Sequence, residues 1–211
     1  GLDRDMALVE LTGAQYHFDP ITTARSIPAL ERAKKNGHKV TAGTSIHHLT
    51  LNEFDIADYR SFFKLDPPLR SENDRLAIID AVNSGFIDVI SSFHTPQDEE
   101  SKRLPFETAA AGAVGLETLL PASLQLFHNQ SVSLAKLIKT MTLNPATLLG
   151  LPSGRITPGA PADLIIFDTD VPFILDRERL RSKSKNTPFD GHKMQGRVMQ
   201  TIVNGKTIFG G

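Results

Sequence analysis

Two adjacent histidines, His47 and His48, follow a predicted strand and are the clearest candidates for metal chemistry in this sequence. Imidazole nitrogen is a good zinc ligand, and barrel enzymes place their sites just after the strands. The chain has no cysteine, so any metal must be bound by histidine, carboxylate or water. A His-His pair by itself is nevertheless more often part of a polar loop than a metal site.

Two further polar segments follow predicted strands. Phe93–Gln97 comes after the apolar run Ile87–Ser92, and Lys64–Arg70 contains an Asp-Pro-Pro-Leu-Arg motif. The two prolines are explained by a rigid turn. Arg70 either pairs with an acid or caps the next helix in solvent. Both segments lie just after predicted strands, where barrel enzymes place their sites.

The order of predicted elements is typical of an α/β fold. Hydrophobic periodicity and capping residues predict strands at Ala14–Asp19, Lys39–Ala42, Phe62–Leu65 and Ile87–Ser92, and helices at Thr22–Asn36, Ser71–Ser84, Gly115–His128, Leu134–Thr142 and Pro145–Leu149. Strands that alternate with helices imply a parallel sheet or a (β/α) barrel. A full barrel needs eight such units and roughly 250 residues, whereas about four units are visible here. We therefore predict that residues 1–150 form half of a TIM-type barrel with two open edges.

After residue 150 the predicted elements are strands, so residues 151–211 are predicted to form a second domain. Ala162–Asp168 is one strand, and Gly196–Val203 with Lys206–Phe209 forms a hairpin around an Asn-Gly turn, the strongest short-range hairpin signal. A polar loop, Ser182–Phe189, lies between them.

The composition is that of an ordinary globular chain, with 211 residues, 40% hydrophobic residues and a net charge of −1. No basic face stands out, so neither a nucleic-acid nor a membrane-surface partner is expected. No apolar run approaches the roughly 18–20 residues of a membrane span, and no signal-peptide pattern is visible. A cytoplasmic location is the expectation.

Four motifs in order carry a family resemblance. They are Phe93–Gln97 followed by Gly115-Leu116-Glu117-Thr118, Asn144-Pro145-Ala146 leading to Pro161-Ala162-Asp163-Leu164, the loop Ser182–Phe189, and the Gly-Arg-Val…Asn-Gly-Lys hairpin at 196–206. In these motifs the chain resembles the C-terminal half of class I dihydroorotases, members of the amidohydrolase superfamily. The resemblance implies the C-terminal half of a (β/α)8 barrel plus strands of a small β-sandwich. It also implies zinc-dependent hydrolysis of a cyclic amide, which interconverts dihydroorotate and N-carbamoyl-aspartate in pyrimidine biosynthesis.

The resemblance also implies metal positions. A family His, in a His-(Ile/Val)-Ser-Thr pattern, matches Pro20, and the family Asp that binds metal and moves the proton matches Phe93. Neither side chain in this sequence can bind a cation or transfer a proton. By the family pattern His48 is a metal ligand and His47 its neighbour. His17, three residues before Pro20, is expected to face inward only after a register change. No catalytic residue is assigned to this chain, because the family Asp position holds Phe93.

Five positions are implied as substrate contacts: Asp66, Arg70, His94, Gln97 and Gly112. The family has Asn where this chain has Asp66, and a carboxylate there would repel the carboxylate of dihydroorotate. His94 keeps the first of two family histidines in its loop, whereas Gln97 replaces the second.

Three functions are compatible with these residues. The first is dihydroorotase activity, impaired in this chain. The second is a non-catalytic, dihydroorotase-like subunit that scaffolds aspartate carbamoyltransferase, because packing positions are kept while chemical positions are lost. The third is another cyclic-amide hydrolase, similar to allantoinases or hydantoinases. The implied partners are the missing N-terminal half of the same protein, which carries a His-x-His pair in the family, aspartate carbamoyltransferase, and further copies of the chain in a homo-oligomer.

Overall fold

A computed structural model describes residues 1–210 as a three-stranded parallel sheet with helices, followed by a three-stranded antiparallel sheet. The helices are α1 Leu2–Thr12, α2 Ile27–Lys35, α3 Ile46–Thr50, α4 Glu72–Ser84, α5 Glu99–Arg103, α6 Leu119–His128, α7 Leu134–Met141 and α8 Leu143–Leu148. The strands are β1 Tyr16–Phe18, β2 Val40–Ser45, β3 Val89–Ser91, β4 Leu164–Ile174, β5 Lys193–Val203 and β6 Lys206–Phe209. None of the helices in this range has the length and apolar character needed to span a membrane.

The first sheet has the order β1-β2-β3, and its strands run parallel. Phe18 pairs with Ala42, and Ser45 pairs with Ser91. The carboxyl ends of the three strands therefore lie at one edge of the sheet, where barrel proteins build their sites. Helices alternate with these strands, which confirms the predicted mixed α/β fold.

The predicted strand at Phe62–Leu65 is wrong. Ser61–Phe63 forms a short 3-10 turn instead, and the chain then enters Pro67-Pro68. Phe63 and Leu65 are both buried, at 8% and 4% exposure. Buried residues thus occur two positions apart here, as they do in a strand. The prolines that follow cannot donate hydrogen bonds to a sheet, which favours a turn at this place.

Local signals set the bounds of helix α4 as predicted. The Ser71 side chain accepts a hydrogen bond from the Asp74 amide at 3.2 Å, which caps the first turn. Gly85 ends the helix with a φ of 82°, a left-handed conformation that glycine adopts without strain. Ile78 and Val82, one turn apart, are fully buried in the core.

Sequence reasoning did not predict helix α1. Only Met6 and Val9 of its 11 residues are buried, so the helical pattern of apolar residues is weak. Leu8 and Leu11 remain exposed, at 52% and 82%. Exposed apolar side chains that lie one turn apart on a helix can pack against further protein.

The main core lies between the parallel sheet and its helices. Its fully buried side chains include Leu30 of α2, Leu49 of α3 and Ile78 of α4. Phe189, at the end of the Ser182–Phe189 loop, is buried at 1% exposure and belongs to the same cluster. The C-terminal part of the chain therefore contributes directly to the core beneath the candidate site.

The second sheet has the order β4-β5-β6 and is antiparallel throughout. Asn204 and Gly205 join β5 to β6 with positive φ angles of 48° and 74°, which confirms the predicted hairpin. Met194 of β5 is buried, and β5 packs against α6, whereas Ile174 and Ile208 stay exposed. The chain as far as residue 210 provides this antiparallel sheet without a second sheet facing it, so the β-sandwich and the domain boundary after residue 150 stay predictions.

Candidate functional site

Helix α3 begins at the carboxyl end of β2 and carries the histidine pair. Ser45, the last residue of β2, caps the helix by accepting a hydrogen bond from the His47 amide at 3.1 Å. His47 and His48 are buried, at 0% and 3% exposure. Both rings therefore lie within the protein and not in a solvated polar loop.

His48 is held by the double-proline turn. Its Nε2 lies 3.1 Å from the carbonyl oxygen of Pro67 and 3.2 Å from that of Pro68. Because carbonyl oxygens only accept, Nε2 carries the proton and Nδ1 keeps the lone pair. Nδ1 is buried and finds no hydrogen-bond partner in residues 1–210. Burial lowers the pKa of His48, and the positive charge of Arg70 lowers it further, so the ring is neutral at pH 7.

Phe93 lies beside this ring. Its phenyl group meets the His48 imidazole edge to face, with ring centroids 6.4 Å apart. Phe93 has a φ of 46°, a conformation that a bulky side chain rarely adopts. Backbone strain of this kind is concentrated at functional sites. The residue next to the predicted metal ligand is therefore a strained aromatic one, with no donor atom for a cation.

His47 has a different environment. Its ring stacks on Phe189, with centroids 5.7 Å apart and an interplanar angle of 14°. Neither of its ring nitrogens, both buried, makes a hydrogen bond of ordinary geometry within the described part of the chain, and the nearby Val114 backbone offsets only a part of the effect of burial on the pKa of His47. Burial, with a smaller contribution from His48, lowers the pKa of His47 to about 3. The ring is thus neutral at pH 7 and has two unsatisfied nitrogens, which is rare for buried polar atoms.

His94 stands at the end of β3 and forms a parallel bridge with Ala113. Its Nδ1 accepts hydrogen bonds from the amides of Gly115 at 3.1 Å and Leu116 at 3.4 Å. In the neutral ring Nε2 then carries the proton. The structure therefore leaves His94 Nε2 as a hydrogen-bond donor.

Gln97 and Gly112, two of the predicted substrate contacts, make internal hydrogen bonds. Gln97 Nε2 donates to the carbonyl of Ala111 at 2.9 Å. The Gly112 carbonyl accepts from Lys102 Nζ and from Asn186 Nδ2, both at 3.0 Å. A substrate that used these polar atoms would have to replace bonds that hold the loops together.

Sequence reasoning missed Lys102 and Asn186, which connect the loops at this site. Lys102 is 4% exposed, and its Nζ donates to the carbonyl of Ala110 at 2.8 Å as well as to Gly112. Burial lowers its pKa to about 8. The Asn186 carbonyl accepts from the Val114 amide at 3.2 Å. Lys102 lies in a charged run typical of a solvated surface, so no sequence signal marks its burial.

Asp66 and Arg70 are placed differently by the structure. Asp66 is exposed. Arg70 is partly buried, and its Nε donates to Thr22 Oγ1 at 3.3 Å. Arg70 is close enough to His48 to lower its pKa, so it borders the histidine site. The structure brings Arg70 to the site and leaves the Asp66 side chain facing solvent.

Pro20 follows β1. His17 lies within β1 on the face that would point into the interior of a barrel, which we call the inner face. Tyr16 and Phe18 pack against the core, so His17 lies on the opposite face of the sheet. There its Nδ1 is 2.8 Å from Thr41 Oγ1, on the residue paired with it in β2. The expectation that His17 faces inward only after a register change is wrong, because the regular pairing of β1 and β2 already places it there.

Comparison with known proteins decides the family. Residues 9–208 match the model of the Amidohydrolase family. This chain is an amidohydrolase-family member. The dihydroorotase of Ehrlichia chaffeensis is 44% identical over 209 residues, which are 99% of this chain and 47% of the relative. The dihydroorotase of Desulforapulum autotrophicum is 40% identical over 206 residues, which are 98% of this chain and 48% of that relative. The resemblance to dihydroorotases is confirmed, and the chain spans about half the length of these relatives.

Solved structures of a hydantoinase and a dihydropyrimidinase share the fold. The L-hydantoinase (dihydropyrimidinase) from Arthrobacter aurescens matches with a TM-score of 0.94 and 27% identity, over 99% of this chain and 48% of that chain. The dihydropyrimidinase from Brevibacillus agri matches with a TM-score of 0.92, over the same shares of the two chains. At 22% identity the second match is evidence of the fold alone.

Amidohydrolases and dihydroorotases are generally metal-dependent, so the donor set of this chain is informative. Within residues 1–210, no three His, Asp or Glu side chains gather where they could hold a metal ion. The side chains of Pro20 and Phe93 have no donor atom for a metal. His48 offers one free nitrogen, because its Nε2 is bound to two carbonyls. The described residues at this site therefore provide His48 Nδ1 as a buried nitrogen without a hydrogen-bond partner, and no complete donor set for a metal.

Proposed function

We propose that this chain forms the C-terminal half of a dihydroorotase-family protein of pyrimidine biosynthesis in which hydrolysis of the cyclic amide is impaired. The 44% identity to the dihydroorotase of Ehrlichia chaffeensis supports the substrate pair, dihydroorotate and N-carbamoyl-aspartate. Because the chain covers 47% of that relative, the activity of a whole protein also depends on residues outside it.

The contact between Phe93 and His48 is the observation that carries this proposal. Hydrolysis in this family needs a group at the end of β3 that binds the cation and moves a proton, and a phenyl ring does neither. The Phe93 ring packs against the imidazole that would have to share the cation with it. Loss of a residue that only orients a metal ligand typically costs 10–100-fold in affinity or activity, and loss of a ligand costs more.

The remaining polar groups at the site favour ligand binding over chemistry. His94 Nε2 is a hydrogen-bond donor, and Arg70 adds a positive charge close to His48. Such groups suit a ligand that carries carboxylates. We therefore expect the loss in substrate affinity to be smaller than the loss in turnover rate.

Turnover by the full-length protein tests the proposal. Dihydroorotate and N-carbamoyl-aspartate are assayed with added zinc, beside the Ehrlichia chaffeensis dihydroorotase as a reference. We expect a rate at least 100-fold below the reference, with substrate binding still measurable by calorimetry. A rate equal to the reference, abolished by a chelator, would sink the proposal.

A non-catalytic subunit is the second candidate function. It is favoured by the contrast between an intact core, with Phe189 and Leu49 buried, and the loss of donors at Pro20 and Phe93. In this role the protein would scaffold aspartate carbamoyltransferase. Co-purification of the two proteins, with carbamoyltransferase activity that rises on mixing, is the expected result. Independent migration of the two proteins at micromolar concentration would count against it.

Another cyclic-amide hydrolase is the third candidate. The TM-score of 0.94 to an L-hydantoinase favours it, although function depends on the site more than on the fold. Hydantoin, dihydrouracil and allantoin are the substrates to assay. Turnover of one of them well above that of dihydroorotate would select this candidate.

The same proposal also covers the rest of the protein, its oligomeric state and its location. We infer that the remaining barrel strands and the facing layer of a β-sandwich come from the N-terminal half of the family fold. Exposed apolar side chains on α1 and on the second sheet support this, including Leu11, Ile174 and Ile208. A homo-oligomer and a cytoplasmic location belong to the proposal as well. Light scattering of the full-length protein measures the first, and cell fractionation the second.

A further inference from the structure

We propose that Lys102 is a positioning residue, which holds the ring of His94 in the direction that lets its Nε2 donate a hydrogen bond to a carboxylate ligand. Lys102 acts through the loop that follows β3. The identity of the ligand rests on the proposed function, whereas the arrangement of Lys102 and His94 is a property of this chain.

Lys102, on helix α5, is a buried cation without an acidic partner. Its exposure is 4%, and none of the salt bridges found in residues 1–210 includes it. Its Nζ donates to the carbonyls of Ala110 at 2.8 Å and Gly112 at 3.0 Å. Hydrogen bonds from a charged donor are stronger than neutral ones, so the ammonium ties α5 firmly to the end of the loop. The described residues bury Lys102 by themselves, and the contact needs nothing from outside the chain.

The chain at the end of this loop lies tightly against the end of β3. Gly112 has a φ of 129°, and a Cβ there would lie 2.6 Å from the carbonyl oxygen of Thr95. Ala113 forms the parallel bridge with His94, and its carbonyl accepts from the Thr95 amide at 2.8 Å. The carbonyls that Lys102 holds therefore lie directly before the residue that pairs with His94.

The same stretch of chain sets the direction of the His94 ring. Its Nδ1 accepts from the amides of Gly115 at 3.1 Å and Leu116 at 3.4 Å. The Gly115 backbone is so close to β3 that a Cβ there would overlap the carbonyl oxygen of Ser92. A shift of residues 112–115 would move these amides and turn the half-buried ring with them. Nε2, which carries the proton in the neutral ring, would then point elsewhere.

The charge of Lys102 adds to this role. Burial lowers its pKa to about 8, so most of the ammonium stays charged at pH 7, and the positive charge of Lys64 lowers the pKa further. Asn186 also donates to the Gly112 carbonyl, at 3.0 Å, but it brings no charge. Two cations without acidic partners beside the loop favour an anionic ligand. Dihydroorotate and N-carbamoyl-aspartate both belong to this class.

NMR of the imidazole nitrogens in the full-length, ligand-free protein is the first test. In the wild type the neutral ring of His94 should show one tautomer, with the proton on Nε2. Lys102→Met keeps most of the side-chain volume and removes the ammonium, so a mixture of tautomers is expected. Lys102→Arg keeps the charge and the donors and should restore most of the wild-type signal. Lys139→Met changes an exposed lysine on α7 and is the matched control, which should leave the His94 signals unchanged.

Calorimetric titration with dihydroorotate and with N-carbamoyl-aspartate is the second test. The dissociation constant should be about tenfold higher in Lys102→Met, as for the loss of one hydrogen bond, and close to the wild-type value in Lys139→Met. Circular dichroism checks folding, and Lys102→Gln takes the place of Lys102→Met if the latter does not fold.

Wild-type His94 signals in Lys102→Met, or in Lys102→Gln, would overturn the inference. This holds even if the affinity fell, because Lys102 would then act through its charge alone. If the wild type bound neither ligand, the proposed function would fail, and the His94 signals would still decide the role of Lys102.

Discussion

The imidazole of His47 stacks on the phenyl ring of Phe189 and thereby joins helix α3 to the Ser182–Phe189 loop. Their centroids are 5.7 Å apart, and both residues are buried. Neither nitrogen of the ring finds a hydrogen-bond partner within residues 1–210. An imidazole in this position is tolerated only while it is uncharged, because a buried unpaired charge is costly.

Stability should therefore fall as the pH drops below about 6.5. The pKa of His47 is about 3 in the folded protein and 6.5 in an unfolded chain, so between these values the unfolded chain binds the additional proton. Each pH unit below 6.5 then removes about 1.4 kcal/mol of stability through this group. Urea unfolding at pH 7 and pH 5 should differ by about 2 kcal/mol on this account.

The variant His47→Leu isolates this contribution. Leucine has a similar volume and no titrating nitrogen, so the difference between pH 7 and pH 5 should shrink. His38→Ala, in which the buried imidazole is untouched, should keep the pH dependence of the wild type. If His47→Leu and the wild type lost the same stability between pH 7 and pH 5, another group would be responsible for the pH dependence.

Asn186→Ala should loosen the loops at the candidate site. Its amide donates to the Gly112 carbonyl at 3.0 Å, and this bond is buried. Loss of a buried hydrogen bond leaves unsatisfied groups and costs about 1–3 kcal/mol. Amide hydrogen exchange around Gln97 and Gly112 should accelerate as well.

The exposed residue Asn83 provides the control for Asn186. Its amide donates to the Ser131 carbonyl at 2.7 Å, at the surface. Asn83→Ala should change stability by less than about 1 kcal/mol, since surface substitutions usually have small effects. If the two variants were equally stable, Asn186 would not be the link between the loops.

The parts of the fold that were predicted correctly depend on local signals. The Asn204-Gly205 turn and the capped helix α4 are determined by residues close in sequence. The false strand at Phe62–Leu65 arose because buried residues two apart occur in a turn as well as in a strand. Local patterns alone do not separate these two cases.

The site was predicted less completely, because its contacts join distant parts of the chain. The sequence indicated that His48 and Phe93 belong to one site, since family motifs mark both. The burial of Lys102 against the Gly112 carbonyl depends on loops that only meet in the folded protein. The same holds for the inward direction of His17, which is set by its pairing with Thr41.

Packing of the second sheet on α6 can be tested with two glycines. Gly196 has a φ of 97°, and a Cβ there would overlap Leu124 Cδ1 of α6. Gly205 has a φ of 74° and open space around it. Gly205→Ala should cost about 1–2 kcal/mol from left-handed strain alone. Gly196→Ala should cost a further 1–3 kcal/mol, roughly, from overpacking. Urea unfolding measures both, and equal costs would argue against the packing of β5 on α6.

Replacement of Phe93 by Asp should raise the affinity of the full-length protein for zinc. Aspartate tolerates a positive φ better than phenylalanine and places carboxylate oxygens beside the His48 ring, whose Nδ1 is free. Isothermal titration calorimetry should give a dissociation constant at least tenfold lower than in the wild type. Phe93→Asn, equal in size but uncharged, should gain less. Addition of His48→Ala to Phe93→Asp should abolish the gain, and a gain that survives this change would mean that Phe93 does not stand where a metal ligand belongs.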